Sequence, residues 1–189
     1  SHIRSTDTTV PGWGVALICY QPIWGYVQHY FLNYQRENIN WSMWLIDMPV
    51  LYVIWGVMII ALWAIYCWAT ISFGCHFSNL THRGIVTNGP YRYSKHPAYI
   101  AKNIAWWMVS VPFISNLGWA SALLSCVMLL SINAIYYLRA QSEERHLIQD
   151  KTYSVYVNWI SHHGLIAGIR KLITFKRLKS AHIKKIETT

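Results

Sequence analysis

Charged residues are scarce in this sequence: Asp, Glu, Lys and Arg make up 12% of the 189 residues, against 54% hydrophobic ones. Three stretches carry no charged side chain at all, from Thr8 to Gln35, from Met48 to Ile71 and from Asn103 to Leu138. A helix needs about 20 apolar residues to cross the hydrocarbon core of a bilayer, and each stretch is long enough. The composition therefore excludes an ordinary soluble domain and predicts an integral membrane protein.

Patterned cysteines are also missing. The four that occur have no CxxC spacing and fall in or beside apolar stretches: Cys19, Cys67, Cys75 and Cys126. This excludes a disulfide framework and a zinc site of the usual kind, and it predicts that they are small buried hydrophobes. No histidine lies four residues from another histidine or from a cysteine, so no metal is predicted.

A recognised nucleic-acid-binding motif is likewise absent, although the net charge is +9. Basic residues that flank membrane spans and face anionic lipid account for that charge. The predicted partners are therefore membrane lipids, and no nucleic acid.

The charge-free stretches predict an all-α membrane bundle. The third stretch, 36 residues long, exceeds one span, and Pro112 with the turn-like residues Ser115 to Gly118 divides it into a helical hairpin. About four spans are expected, at residues 13–32, 46–71, 98–114 and 118–138. We treat residues 1–189 as one membrane-embedded domain, which can be a piece of a longer protein.

The distribution of basic residues predicts the orientation of the spans. Ten of the 16 Lys and Arg lie from Arg139 onward, and three more lie between the second and third spans. The positive-inside rule then places residues 72–97, the C-terminal tail and, with four spans, the N-terminus in the cytoplasm. Within the tail, residues 165–180 read as an amphipathic helix that lies on the membrane surface or docks on the cytoplasmic part of the protein.

The stretch GIVTNGPYRYSKHPAYIAKN, residues 84–103, has polar residues where a span begins. Asn88-Gly89-Pro90 predicts a turn in which Gly89 can adopt positive φ, and Pro97 suits the first position of a helix. The free N–H groups of such a helix start can hold a carboxylate or a phosphate. The alternative is an aromatic and basic belt at the membrane interface, which has no particular use for His96.

A second polar stretch, LRAQSEERHL, closes the predicted hairpin. Because the two helices of a hairpin start and end at the same face, residues about 40 positions apart become neighbours. Arg139 and Glu143 are four residues apart and can form a surface ion pair, although Arg before Glu is the less favourable order. Alternatively, the carboxylates of Glu143 and Glu144 hold an ammonium group of a ligand, and Arg139 binds a carboxylate of a ligand in bidentate fashion.

The ordered combination of GPYRYSKHPAY, RAQSEERHL and YSVY, within residues 73–159, resembles the isoprenylcysteine carboxyl methyltransferase family, whose wider kin include membrane phospholipid methyltransferases. The resemblance implies S-adenosylmethionine as cofactor, bound at the cytoplasmic face, and a lipid-like substrate that enters from the bilayer. It implies that Arg139 faces the substrate. It also implies cofactor contacts from the following residues: Arg83, Gly84, Ile85, Val86, Tyr91, His96, Pro97, Ala98, Tyr99 and Glu143.

The acceptor stays open at this point. Lys95 and Ala101 stand where the family usually has Arg and Gly. A carboxylate acceptor needs no general base, whereas an amine or hydroxyl acceptor needs one, with Glu144 or His96 as the candidates. Two alternatives remain, a reductase resembling the membrane sterol reductases, with a nicotinamide cofactor, and a non-enzymatic membrane scaffold or lipid-binding module.

Overall fold

A computed structural model describes residues 3, 5–35, 37, 39–74, 81–82, 84–165 and 167–168. Its architecture is helical, as predicted. Seven α-helices are present in the described residues: α1 Val10–Ile18, α2 Ile23–Tyr26, α3 Trp41–Trp44, α4 Pro49–Phe73, α5 Pro97–Ser110, α6 Trp119–Leu147 and α7 Lys151–His163. One two-residue antiparallel ladder pairs β1, Ser5–Thr6, with β2, Thr81–His82.

The N-terminal part of the chain is broken into short pieces. Helix α1 ends at Ile18, and α2 is followed directly by a π-helical turn, Val27–Phe31. Proline lacks the N–H that would continue a helix, and Pro22 lies in the break between α1 and α2. The span predicted at residues 13–32 is therefore not one continuous helix, and a total of four spans stays a prediction.

Two helices among the described residues, α4 and α6, are long and apolar enough to cross a membrane. They cover the second and fourth predicted spans. In the most apolar 18 residues of α4, only 6% of the residues are buried, so most of its side chains stay exposed. A helix that is apolar on all sides and highly exposed requires an apolar environment, which a bilayer supplies.

Helices α5 and α6 form the predicted hairpin. Helix α5 ends in a left-handed residue, Val111, and the turn runs to Gly118, whose φ is +95°. The carboxylate of Glu37 holds this turn by accepting hydrogen bonds from the Asn116 N–H at 2.7 Å and the Ser121 hydroxyl at 2.9 Å. It also accepts one from the Ser115 hydroxyl. Residues from the N-terminal part thus fix the hairpin at its turn.

The core lies between α5, α6 and the N-terminal part. Tyr34, Leu129, Ile132 and Tyr136 form its buried centre, against which Trp24 and other aromatic residues pack. Helix α4 packs closely along α5, where the indole of Trp55 donates to the carbonyl of Met108 at 2.9 Å. By contrast, α5 and α6 meet mainly through large side chains.

Helix α7 is amphipathic and buries Tyr153, Tyr156 and Ile160. Its N-cap is Asp150, whose carboxylate accepts a hydrogen bond from the N–H of Thr152 at 2.7 Å. The surface helix predicted at residues 165–180 lies outside the described residues, except for positions 165, 167 and 168.

Candidate active site at the open end of the hairpin

Residues 84–96, here called the pocket segment, lead from α4 to α5. Gly89 has φ +57°, the conformation predicted from the turn signal, and begins a 3₁₀ turn, Gly89–Arg92. A Cβ at Gly89 would lie 2.7 Å from the hydroxyl oxygen of Ser72, so this turn packs tightly on the end of α4. The buried ring of Tyr91 then lies 5.5 Å from that of Phe73.

Helix α7 holds the pocket segment from the other side. The hydroxyl of Tyr156 donates to the carbonyl of Tyr91 at 2.6 Å, and the N–H of Leu165 donates to the carbonyl of Tyr93 at 2.9 Å. Ile85 packs on the buried tyrosines of α7. The segment is therefore fixed between α4 and α7.

The first turn of α5 presents a histidine and a tyrosine together. Pro97 occupies the first helical position, as predicted, and His96 the N-cap, with no side chain capping the helix. The His96 and Tyr99 rings stack with centroids 5.7 Å apart and planes 11° from parallel. Uncapped backbone N–H groups at a helix start can bind an anion.

Glu144 of α6 meets the end of the pocket segment. One carboxylate oxygen lies 2.6 Å from Nζ of Lys95, and the other lies 2.8 Å from Nε2 of His96. The three side chains are partly buried. Both oxygens of Glu144 are thus engaged, and the contact ties the start of α5 to the end of α6.

Glu143 lies beside this ion cluster and faces Tyr99. The Tyr99 hydroxyl donates to its Oε1 at 2.5 Å, and Nε of Arg139 lies 3.5 Å from the same oxygen. Arg139 is 8% exposed, and its guanidinium lies over the rings of Tyr20 and Tyr99, at 5.7 and 5.8 Å. Its Nε forms no hydrogen bond with a described residue.

The N-terminal part of the chain covers the residues around Glu143 and Arg139. This covering was not predicted from the sequence. Asp7, 6% exposed, accepts from both the N–H and the hydroxyl of Thr9 at 2.8 Å, and the hydroxyl of Ser142 lies 3.4 Å away. The Ser5 hydroxyl lies 3.1 Å from Nε2 of His146. Helix α1 also packs on α6. The segment before α2 therefore closes one side of the site.

The structure brings five of the twelve predicted site residues into contact with one another. His96, Tyr99, Arg139, Glu143 and Glu144 form one contact network. The remaining predicted residues in the described part lie in the pocket segment or at the start of α5, where Pro97 is buried and Ala98 half-buried: Gly84, Ile85, Val86, Tyr91, Pro97 and Ala98. Arg83 lies outside the described residues.

Tyr91 is coupled electrostatically to this network. Burial raises the pKa of Tyr91 to about 12, and the negative charge of Glu143 acts in the same direction. The phenol is therefore neutral at physiological pH, so it can donate a hydrogen bond but is not a base.

Residues 49–149 match the Isoprenylcysteine carboxyl methyltransferase (ICMT) family, a stretch that is more than half of the 189 residues. The chain belongs to the isoprenylcysteine carboxyl methyltransferase family. Comparisons with curated proteins and with solved structures found no significant match. Membership identifies a membrane methyltransferase of the isoprenylcysteine type, which agrees with the two helices that can cross a bilayer.

The family match has a clear position on the fold. It begins with α4, includes the pocket segment, α5 and α6, and ends just after α6. The network of His96, Tyr99, Arg139, Glu143 and Glu144 therefore lies entirely in the part that this chain shares with the family. The N-terminal cover and α7 lie outside it.

Proposed function

We propose that this protein transfers a methyl group from S-adenosylmethionine to the carboxylate of a lipophilic acceptor that enters from the bilayer. The observation that carries the proposal is the meeting of the α5 helix start with Glu143 and Arg139 at one end of the hairpin. Acidic, basic and anion-binding groups converge there, next to helices that fit a membrane.

Three features of the site fit S-adenosylmethionine. The start of α5 is uncapped and can receive the carboxylate of its amino-acid end. Glu143, held by the Tyr99 hydroxyl, can pair with its ammonium group. The segment from Gly84 to Tyr91 is fixed by α4 and α7 and offers aromatic and backbone groups beside them.

When bound, S-adenosylmethionine supplies a methyl group on a positively charged sulfur, which leaves as a neutral thioether. The protein residues orient the two reactants and exclude water, because a reaction that cancels charge is favoured in a site of low polarity. Arg139 would hold the acceptor carboxylate through N–H groups of its guanidinium, of which the Nε–H makes no hydrogen bond to a described residue. No proton is transferred when the nucleophile is already a carboxylate.

Glu144 fits a positioning role better than that of a general base. Lys95 and His96 engage its two oxygens, so neither is free to accept a proton from a hydroxyl or amine acceptor. This favours a carboxylate acceptor over a hydroxyl or an amine acceptor. The family likewise favours the methyltransferase over the sterol-reductase-like alternative and over a non-enzymatic scaffold.

The active site would face the cytoplasm. Both the pocket segment and the residues after α6 belong to regions rich in Lys and Arg, and such regions stay on the cytoplasmic side. Labelling of single cysteines introduced at exposed positions 92 and 145 tests this orientation. Access from the outside only would contradict it.

Calorimetric titration of the purified full chain with S-adenosylmethionine tests the proposal. We expect saturable binding that His96→Ala weakens by about tenfold, the loss typical of one hydrogen bond in a polar network, with the fold unchanged. The control is His163→Ala, which alters an exposed histidine of α7. Absence of S-adenosylmethionine binding would contradict the proposed activity, and binding of a reduced nicotinamide nucleotide instead would favour the reductase.

If wild type and His96→Ala bind equally well, the start of α5 is not part of the cofactor site. A second experiment measures methyl transfer from radiolabelled S-adenosylmethionine to three acceptors: an S-prenylated N-acetylcysteine, its amide and a phospholipid. We expect label on the free acid alone, because only this acceptor carries a carboxylate.

A further inference from the structure

Lys102 lies on α5 among aromatic side chains. Its Nζ lies 4.7 Å from the ring centre of Trp106 and 4.7 Å from that of Tyr136, and it donates a hydrogen bond to the Tyr136 hydroxyl at 3.0 Å. No carboxylate of a described residue forms an ion pair with it. Lys102 is therefore a half-buried cation whose contacts in the described part of the chain are aromatic rings and a neutral hydroxyl.

The position of Lys102 makes an unpaired charge costly. It is five residues past Pro97, about 7.5 Å along α5 from the helix start. The residues beyond it, as far as Leu138, carry no charge. A charged side chain in such a segment is energetically costly, and it commonly marks a ligand pathway or has a partner. The two rings offset part of this cost.

Two neighbouring aromatic rings, those of Tyr99 and Tyr136, lie between Lys102 and Arg139. The Arg139 guanidinium lies over Tyr99, the Tyr99 ring lies 5.7 Å from that of Tyr136, and Lys102 lies over Tyr136. Glu143 balances the charge of Arg139, whereas no carboxylate in the described ranges forms an ion pair with Lys102. The row of side chains from Arg139 through Tyr99 and Tyr136 to Lys102 therefore carries a net positive charge at its Lys102 end.

The surrounding helices also carry polar atoms without partners. The Asn133 carbonyl oxygen accepts from the indole of Trp107 at 2.7 Å, which turns this amide toward α5. Its Nδ2, like Oδ1 of Asn103, is buried and has no hydrogen-bond partner among the described residues. A buried polar group without a hydrogen bond destabilises the protein. Nζ of Lys102 and Nδ2 of Asn133 are both donors, and both suit an anionic oxygen.

We propose that Lys102, assisted by Asn133, forms the site between α5 and α6 that first binds the carboxylate head of the entering acceptor in the absence of cofactor, before this head moves to Arg139 for methyl transfer. The proposal rests on the proposed function, to which it adds a specificity site outside the predicted set. It also accounts for product release, because methylation removes the charge that Lys102 recognises. In the simpler alternative, Lys102 only extends its amino group along the apolar helix toward the interface.

Binding without S-adenosylmethionine tests this site separately from the reaction. The full chain is placed in phosphatidylcholine nanodiscs and titrated with S-farnesyl-N-acetylcysteine and with its neutral methyl ester. We expect the acid to bind more tightly than the ester by about tenfold or more, which corresponds to about 1.4 kcal/mol. Lys102→Met should reduce the affinity for the acid to that for the ester, and Lys102→Arg should retain part of the preference.

The matched control is Lys151→Met, which removes an exposed lysine at the start of α7. It should leave both affinities unchanged. A preference for the acid that survives Lys102→Met would overturn the proposal and leave Lys102 as an interfacial lysine. Anionic phosphatidylglycerol is the third ligand: if it alone binds in a Lys102-dependent way, the occupant is a membrane phospholipid, and the assignment to the acceptor is wrong.

These results are independent of the cofactor titration. A chain that binds the acid through Lys102 but does not bind S-adenosylmethionine would refute the proposed reaction and keep the anion site. A chain that binds S-adenosylmethionine but does not distinguish acid from ester would do the reverse.

Discussion

Tyr99 and Glu143, 44 positions apart in the chain, are joined by a hydrogen bond of 2.5 Å from the phenol to Oε1 of the carboxylate. The bond connects the first turn of α5 to the last turns of α6, at the open end of the hairpin. It fixes one carboxylate oxygen between a tyrosine and Arg139. If Glu143 holds the ammonium group of S-adenosylmethionine, the orientation of the Glu143 carboxylate toward that group depends on Tyr99.

Tyr99→Phe should weaken S-adenosylmethionine binding by about tenfold, because a hydrogen bond to a charged group contributes about 1.5–3 kcal/mol and part of that is recovered from water. Calorimetry measures the affinity. Tyr137→Phe, a change at an exposed tyrosine of α6, is the control and should have no effect. An unchanged affinity for Tyr99→Phe would mean that Glu143 does not contact the cofactor.

Tyr156→Phe tests how far α7 shapes the site. The Tyr156 hydroxyl donates to the carbonyl of Tyr91, so its loss should lower the free energy of unfolding by about 1 kcal/mol. It should also weaken cofactor binding, because the pocket segment loses a support. The control is Tyr153→Phe, since the Tyr153 hydroxyl makes no hydrogen bond with a described residue. Equal thermal unfolding temperatures of Tyr156→Phe and wild type would contradict this role.

The hairpin explains why part of the site could be predicted from the sequence. Two antiparallel helices joined by a turn at Pro112 bring His96 to Glu144 and Tyr99 to Glu143, whatever the rest of the fold. The positive φ of Gly89 also followed from local chemistry. These features depend on short-range rules and on one hairpin.

Other features depend on tertiary contacts that no local pattern encodes. The cover formed by Asp7 becomes visible only when Ser142 is placed beside it. Lys102 was missed because the charge-free stretch was counted from the residue after it. A lysine one turn inside a predicted span was the signal that could have identified it. The first predicted span failed as one helix because apolar composition outweighed Pro22 in the prediction.

The hydrogen bonds by which Glu37 holds the turn between α5 and α6, here called the Glu37 clamp, predict that the stability of the protein depends on pH. The hydrogen bond from the Ser115 hydroxyl, with others from the turn, holds the pKa of Glu37 below its usual value of 4.5. A carboxyl group with a lowered pKa in the folded state stabilises the protein above its unfolded pKa, and this stabilisation is lost as pH falls through the folded pKa. Wild type should therefore lose thermal stability below about pH 4.5.

Glu37→Gln should lower the unfolding temperature at pH 7 and flatten its decline in acid. Asp47→Asn, which alters an exposed carboxylate after α3, is the control and should leave the decline as in wild type. Unfolding is followed by intrinsic tryptophan fluorescence at a series of pH values. Parallel curves for wild type and Glu37→Gln would show that the clamp does not titrate with folding.

Arg139 gives the sharpest test of the acceptor. Arg139 is 8% exposed, its guanidinium lies over Tyr99, and its Nε makes no hydrogen bond in the described part of the chain, so the side chain is oriented but still has a free donor. A guanidinium binds a carboxylate through two parallel N–H groups, and the ammonium of lysine cannot reproduce this geometry. Arg139→Lys should therefore keep the positive charge near Glu143 and lose the orientation of the acceptor.

We expect Arg139→Lys to lower turnover of the prenylated acid by about a hundredfold, at about 1.4 kcal/mol per tenfold, with S-adenosylmethionine affinity changed by less than about threefold. Single-turnover methyl transfer measures the first quantity and calorimetry the second. The comparison with Lys102→Met separates the two cations, because that variant should raise the KM for the acid more than it lowers turnover at saturation. Loss of cofactor binding in Arg139→Lys would instead make Arg139 a cofactor residue, and full turnover would remove it from the acceptor site, because a residue that orients the nucleophile must act in the transition state.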